Sequence, residues 1–268
     1  CELIRRWFNL HPEFSWLPGK FKIAINGAKL DETALKIHDL GLRLVRNNQN
    51  HLGFNVFVGG GLGAAAMIAA ETASFIEVED ILSYLESVFR IYNLKGRRDH
   101  QKKLRIKFLV RELGSKEFSR LVDEDWQQTK NDPKLKLNLA ELDSLKKDFA
   151  LPIKSMNLSS YEEKVDFNYS IWRKNNVRSH KVSGYCIVNI SLTKLDAAPG
   201  DATSEQMRIL ADLAQKYSVN EIRTTKRQSI VFPYVRKDKL FDLWQSLENY
   251  GLASPHEGTL AQIVACPG

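Results

Sequence analysis

Four groups of residues in this sequence have the type and spacing to do chemistry. Lys20 and Lys22 stand two apart beside the alternating run Phe21 to Ile25. A strand there projects both ammonium groups the same way, with Phe21, Ile23 and Ile25 on the opposite face. Such a pair is either an anion-binding surface or the solvated face of an edge strand. Gly59-Gly60-Gly61-Leu62-Gly63-Ala64 follows a strand-like run from Gly53 to Val58 and precedes the helix-prone stretch Ala64 to Ala70. It fits the loose G-x-G-x-x-G/A pattern, in which bared amides and a helix N-terminus hold phosphate or carboxylate. Glu77 and Glu79 lie roughly where a ribose-binding acid would sit, although Glu79 and Asp80 read better as the cap of the next helix. A tight packing turn is the alternative.

The third group is Arg97-Arg98 with Lys102, Lys103, Arg105 and Lys107, the last pair again alternating. A carboxylate cradle, a nucleic-acid stripe and a charged surface all fit it. In the fourth, Arg223-Thr224-Thr225-Lys226-Arg227-Gln228, alternation puts Arg223, Thr225 and Arg227 on one face of a strand. His38 reads as a helix-face histidine with a local partner. There is no metal-spaced His/Asp/Glu group and no nucleophile triad in the pattern.

The elements that must position these groups follow from periodicity. Asn26-Gly27 turns the chain after the first strand, and Asp31 caps a helix with the stripe Leu35, His38, Leu42 and Val45. A helix from about Glu79 to Asn93 buries Ile81, Leu85, Val88 and Tyr92 and breaks at Gly96. From Gln127 to Asn176 the pattern weakens, with Leu139 to Phe149 helical. Gly184 to Leu192 is a strand, and Thr203-x-x-Gln206 is a capping box opening a helix with Met207, Leu210, Ala214 and Tyr217 inward. Ile222 to Tyr234 is strand-like, and a helix carrying Leu240, Leu243, Trp244 and Leu247 ends at Gly251. The expectation is an α+β protein with domains over 1–150 and 177–268, joined by a linker over 151–176.

Composition excludes several classes. With 43% hydrophobic and 26% charged residues among 268, the chain is neither disordered nor membrane-spanning. Its three cysteines are too few and scattered for a disulfide framework, so a cytoplasmic, reducing compartment is expected. The net charge of +7 suits nucleic acid, an anionic substrate or an acidic partner, and also simple solubility. The start at Cys1 and the stop at Cys266-Pro267-Gly268 read as cut ends, so a fragment of a longer protein is expected.

Taken together, the segments resemble the siroheme-containing sulfite and nitrite reductases. Trp16-Leu17-Pro18-Gly19-Lys20-Phe21-Lys22 is similar to the family's L-P-R-K-F-K element, and Leu10-His11-Pro12-Glu13-Phe14 precedes it as in many members. Gly59 to Gly63 resembles the G-G-G-L-G loop, and Tyr92 to Lys107 the Y-N-x-x-G-R-R-D…R-I-K stretch. Gly184-Tyr185, the capping-box helix and the R-x-T-x-R-Q string at Arg223 to Gln228 resemble the ferredoxin-like half-domain. The chain departs from the pattern at Gly19, where Arg is usual, at Ala64-Ala65-Ala66 in place of R-T-P, and at His100-Gln101. Of the family's C-x5-C and C-x3-C cluster ligands only Cys266 is present, and the family's N-terminal half-domain is missing.

The resemblance implies a siroheme-binding α+β domain followed by a ferredoxin-like half-domain. It implies six-electron reduction of sulfite to sulfide, or of nitrite to ammonia, at siroheme joined to a 4Fe-4S cluster. Electrons would come from a flavoprotein or ferredoxin. Lys20 and Lys22 would then be catalytic, and Cys266 a cluster ligand. Gly59, Gly60, Gly61, Gly63, Arg97, Arg98, Lys103, Arg105, Lys107, Arg223, Thr225, Arg227 and Gln228 would hold the cofactor. No nucleic acid and no membrane partner is expected, and the fragment alone should be inactive. The rival of another class is a non-enzymatic basic module binding RNA or an acidic protein, which would lack the aromatic platform of a single-strand binder.

Overall fold

An apolar helix buried on nearly every side organises the first half of the chain. The computed structural model describes residues 1–9, 11–31, 33–63, 65–158, 164–194 and 198–264. They fall into two units, Cys1–Phe149 and Ala150–Gly268, each with its own core. The first unit opens with helix α1 (Glu2–Asn9) and strand β1 (Ile23–Asn26). Strands β2 (Leu40–Arg46), β3 (Leu52–Val58) and β4 (Ala70–Glu77) follow, then helices α2 (Ile81–Lys95), α3 (Ile106–Leu113), α4 (Ser115–Thr129) and α5 (Leu139–Asp148). The sheet order is β1-β2-β3-β4, with β1 parallel to β2 and the other pairs antiparallel. Leu40, Leu42, Val56 and Val58 from the sheet meet Ile81, Leu85, Val88, Phe89 and Tyr92 of α2 in one core. Even the Ser83 hydroxyl of α2 is buried, accepting the Trp126 indole N–H at 2.9 Å and donating to the Asp80 carbonyl at 2.8 Å.

Three expectations for this half are corrected. The stripe Leu35, His38, Leu42 and Val45 is not a helix: Leu35–Ile37 is a single 3-10 turn, and Leu40–Arg46 is β2. Asp31 does cap, but it caps a turn, accepting the N–H groups of Thr33 (3.0 Å) and Leu35 (2.9 Å). Extended backbone wins here because Leu40–Arg46 pairs with β1 and β3 on its two sides, and Gly41 lets the turn fold close, since a Cβ would lie 2.8 Å from the Leu35 carbonyl. His38 accordingly sits just past the turn, its Nδ1 3.0 Å from the Ala34 carbonyl. The stretch after the glycines is likewise not helical. Ala64 lies outside the described residues, Gly61 and Met67 exchange backbone hydrogen bonds of 2.9 and 2.8 Å, and Ala70 already opens β4. Finally, Lys107 is the second residue of helix α3, so Arg105 and Lys107 do not alternate on a strand.

The second unit contains helix α6 (Phe167–Asn176), strands β5 (Val177–Ser179) and β6 (Tyr185–Ser191), and helix α7 (Ser204–Tyr217). Strands β7 (Arg223–Thr224) and β8 (Ser229–Arg236) and helix α8 (Leu240–Asn249) complete it. The sheet is antiparallel throughout, in the order β5-β6-β8-β7. The capping box at Thr203 and Gln206 is present in both directions. Met207 is exposed rather than inward, and Leu213 takes its place in the core beside Leu210, Ala214 and Tyr217. The run Ile222 to Tyr234 is a hairpin, not one strand. The Thr225 hydroxyl accepts the N–H groups of Arg227 (3.1 Å) and Ser229 (3.3 Å) and so closes its turn.

Part of the expected linker is core. Residues 167–176 form α6, which buries Tyr169 and Trp172 to about 1% exposure among Val188, Leu240 and Trp244. The Asp166 carboxylate caps the helix by accepting the Tyr169 N–H at 2.8 Å. At its far end, buried Asn176 donates through Nδ2 to the Asn189 and Ser254 carbonyls, each at 3.0 Å. Trp172→Ala should therefore cost the second unit about 3–5 kcal/mol. Thermal unfolding read by amide exchange in each unit checks this: the second unit should open at lower temperature while the first is unmoved.

Candidate functional site

Asp39 joins the segments that carry the basic residues of the first unit. It lies between the 3-10 turn and β2, fully buried. Arg105 donates to it through Nε (2.9 Å to Oδ1) and Nη2 (2.6 Å to Oδ2), and the Lys22 N–H donates to Oδ2 at 2.9 Å. The Asp39 main-chain carbonyl accepts the Gly59 N–H at 2.9 Å, and the Lys22 carbonyl accepts the Leu40 N–H at 3.1 Å. One residue thus fixes the Lys20–Lys22 segment, the glycine loop and the start of α3 together. Tyr92 of α2 adds a fourth element, its hydroxyl donating to the Leu104 carbonyl at 2.8 Å. Burial, reinforced by the Asp39 charge, pushes the Tyr92 hydroxyl up to about 12.

Within this frame the cations have different fates. Lys20 and Lys22 are both exposed, and they precede β1, which begins only at Ile23. The common direction expected from strand pleating is therefore not imposed on them. What places them is the Asp39 bond to the Lys22 backbone. Lys107 is almost wholly buried, and its ammonium donates to the loop carbonyls of Leu62 (3.0 Å) and Ala65 (2.7 Å). Burial chiefly, and then Arg105, lowers its pKa, while Asp39 opposes the shift. Arg97 spends its fork on exposed Asp99, at 3.1 and 2.7 Å. Arg98 donates to the Asn93 carbonyl (3.1 Å) and side-chain oxygen (2.5 Å), and Lys103 is exposed on the turn before α3.

The glycines are explained by close packing within the chain. A Cβ on Gly60 would lie 2.3 Å from the Lys36 carbonyl and 2.5 Å from that of His38, a clash with backbone. Gly59, at φ +92°, packs on Val110, and a Cβ on Gly61 would meet Lys107 Cδ at 2.9 Å. Gly63 faces open space but has φ +97°, where side chains are strained. Since no helix starts here, the dinucleotide reading of this loop is excluded.

The fourth basic group belongs to the second unit. Arg223 donates to Glu221 (2.6 Å) and to the Tyr234 hydroxyl (2.8 Å), and Arg227 to buried Glu257 (2.8 Å). Thr225 closes the hairpin turn and Gln228 stands at φ +56° within it, so the expected single face of Arg223, Thr225 and Arg227 does not form. Cys266 lies outside the described residues. Cys1 is exposed, and burial pushes the Cys186 thiol up to about 12. Among the described residues no three His, Cys, Asp or Glu side chains are grouped to hold a metal.

Sequence reasoning missed Asp39, whose only signal is a lone acid directly ahead of the apolar run Leu40-Gly41-Leu42. Removing its partner leaves a buried charge, so Arg105→Ala should lower stability by about 3–5 kcal/mol. The double variant Asp39→Ala, Arg105→Ala should lose clearly less than the sum of the single losses. Denaturant titration of the variants measures both.

Comparison with known proteins follows this division. The model for the nitrite and sulphite reductase 4Fe-4S domain matches residues 1–130, and that for the nitrite/sulfite reductase ferredoxin-like half domain matches 183–250. "Sulfite reductase [ferredoxin] 2" of Mycolicibacterium paratuberculosis is 26% identical over 273 residues, covering all of this chain and 42% of its own length. "Sulfite reductase [ferredoxin]" of Mycobacterium tuberculosis is 32% identical over 128 residues, 47% of this chain and 22% of its own. "Ferredoxin--nitrite reductase, chloroplastic" of Arabidopsis thaliana is 26% identical over 96% of this chain and 39% of its own. The solved structure of the Mycobacterium tuberculosis NirA protein superposes with TM-score 0.67 at 22% identity, covering 95% of this chain and 40% of that one, and shares the fold. The chain therefore spans about two fifths of the length of the full-length relatives it matches. With the two domain models matched in order, one on each unit, the chain belongs to the nitrite and sulphite reductase family.

Proposed function

We propose that this chain forms the oxyanion- and siroheme-binding part of an assimilatory sulfite reductase. The observation that carries the reading is the exposed pair Lys20 and Lys22, whose backbone is tied by the Lys22 N–H to the same buried carboxylate that orients Arg105. Two nearby ammonium groups with neither bound to a carboxylate are suited to a small dianion. Nitrite is the second reading, favoured by the nitrite reductase among the relatives. An electron donor of the ferredoxin or flavoprotein class fits the names of the relatives, which include ferredoxin- and NADPH-dependent sulfite reductases. A cytoplasmic setting is part of the same reading; among the described residues no helix is long and apolar enough to cross a membrane.

The residues present meet the two cofactors of this family unequally. Siroheme carries many carboxylates, and Lys20, Lys22 and Lys103 are exposed cations on segments converging at Asp39 and Leu104. Arg105 has Nη1 left over after its two bonds to Asp39. These would hold the macrocycle's acid groups. Arg97, Arg223 and Arg227 already have carboxylate partners, so their expected cofactor roles would require exchange of those partners. The iron–sulfur cluster does not fit the described residues, because they hold only two cysteines, exposed Cys1 and buried Cys186, against the roughly four thiolates of a cubane.

When bound, siroheme supplies electrons to the substrate atom. The chain's part is then electrostatic and protic. Lys20 and Lys22 bind the oxyanion and stabilise charge that builds up as its oxygens leave, and their N–H protons are within the same site to be delivered to leaving oxygen as water. Asp39 keeps Arg105 oriented, and Lys107 holds the glycine loop by its carbonyls.

In the complete reductase, Lys20→Met and Lys22→Met should each lower turnover about 100-fold with siroheme absorbance per mole unchanged. Wild-type turnover in both variants would overturn the assignment. The 268-residue chain alone has three cysteines against the roughly four thiolates of a cubane. Purified by itself, it should fold, show no cluster absorbance and reduce neither anion. Iron analysis and a visible spectrum decide this, and stoichiometric 4Fe-4S cluster would sink it.

A further inference from the structure

The second unit contains a hollow of about 350 Å³ where the end of α6, strand β5 and the turn before α8 meet. Its rim carries Arg173, Lys174, Arg178 and Lys237, together with Ser170 and Ser179, and among the described residues no carboxylate belongs to its lining. This is unlike the other basic hollows of the molecule. The larger one between α7 and α8 sets Lys216, Arg236 and Lys239 against Asp242 and Glu248. That beside α4 sets Lys116 and Arg120 against Glu71, Asp123 and Glu124.

Helix electrostatics accounts for only half of this charge. Arg173 and Lys174 lie in the last turn of α6, where the helix dipole favours cations. Arg178 lies on an edge strand, and Lys237 opens the turn leading into α8, near the positive end of that helix. Placing a cation there is unfavourable unless something negative joins it. Among the described residues, Lys174, Arg178 and Lys237 have no ion-pair partner. The field reaches the floor of the hollow, where Lys237 and Arg173 pull on the Cys186 thiol against its burial.

The geometry points to this hollow as a binding site for a phosphate-class oxyanion, inorganic phosphate or a phosphate monoester. Cations approaching from three elements surround such a group, and the Ser179 hydroxyl can donate to its oxygens, that of Ser170 being given to the Asp166 carbonyl at 2.7 Å. A volume well above that of one phosphate leaves space for the organic part of an ester. An acidic protein surface would meet cations spread over a flat face, whereas these converge on one depression.

Hydrogen exchange of the 268-residue chain, at constant ionic strength, tests the assignment. Inorganic phosphate, and separately glycerol 3-phosphate, should slow exchange saturably in residues 167–179 and 237–241, while chloride should not. Tighter protection by the ester identifies the ester as the ligand, and equal protection identifies phosphate itself. Arg178→Gln and Lys237→Gln, both at exposed positions, should each weaken the protection about tenfold or more, as loss of one charged contact does. The variant Lys20→Gln, Lys22→Gln should leave it intact. The site is refuted by equal protection with chloride, by undiminished protection in the Arg178 and Lys237 variants, or by loss of protection in the lysine-pair variant. Protection by a glutamate-rich peptide where neither phosphate compound gives any would assign the hollow to an acidic protein instead.

Discussion

A carboxylate taken wholly out of water costs several kcal/mol unless donors replace its hydration, and Asp39 is such a carboxylate. Its oxygens receive three N–H bonds, two from a guanidinium on one side of the unit and one from the backbone of the Lys20–Lys22 segment on the other. None of these donors is near Asp39 in sequence. The requirement that all three be present brings distant stretches to one place and admits little latitude in how they meet. The glycine loop joins through the carbonyl of the same residue, and Gly59, Gly60 and Gly61 then follow from crowding. Backbone that passes within 2.5 Å of where a Gly60 Cβ would stand has no space for a side chain.

This constraint sorts the positive charge of the first unit. Arg105 and Lys107 are structural in the folded chain, one satisfying Asp39 and the other holding Leu62 and Ala65 by their carbonyls. Burial of Lys107, and then Arg105 beside it, lowers its pKa, and Asp39 opposes that shift. Lys20 and Lys22 contribute backbone to the frame but leave their ammonium groups in solvent. Among the described residues the first unit thus divides its charge between a paired base and an unpaired outer rim, an arrangement that would suit the anion proposed above.

Much of the secondary structure was legible where one period dominated. The α2 stripe and the capping box of α7 have no competing reading, and both appear where expected. The errors fell where short apolar spacing satisfied two periods. Leu35, Leu42 and Val45 fit a helix stripe, while Leu40 and Leu42 fit a strand, and pairing with β1 on one side and β3 on the other decides for the strand. Helix α6 was hidden because its inward residues, Tyr169 and Trp172, lie among lysines and asparagines that read as linker. The candidate site was read from residue types, because clustered lysines, arginines and glycines suit an anion. Which of the cations are committed internally was not, since Asp39, Asp99, Glu221 and Glu257 declare themselves as partners only once the chain is folded.

Gly19 shows how sequence departure and geometry belong together. The family element that the sequence resembles has Arg at this point, which would add a third cation to the Lys20–Lys22 segment. Here a Cβ at position 19 would stand 2.8 Å from Leu104 Cβ, an atom too close to the main chain to swing aside. Leu104 is itself held by the Tyr92 hydroxyl on its carbonyl and is followed directly by Arg105. A side chain at 19 would therefore have to push the 18–22 segment away from residue 104, and with it strain the Lys22 N–H bond to Asp39. In this chain the close approach of the two segments and the glycine at position 19 are one feature, and the segment's own exposed cations are Lys20 and Lys22.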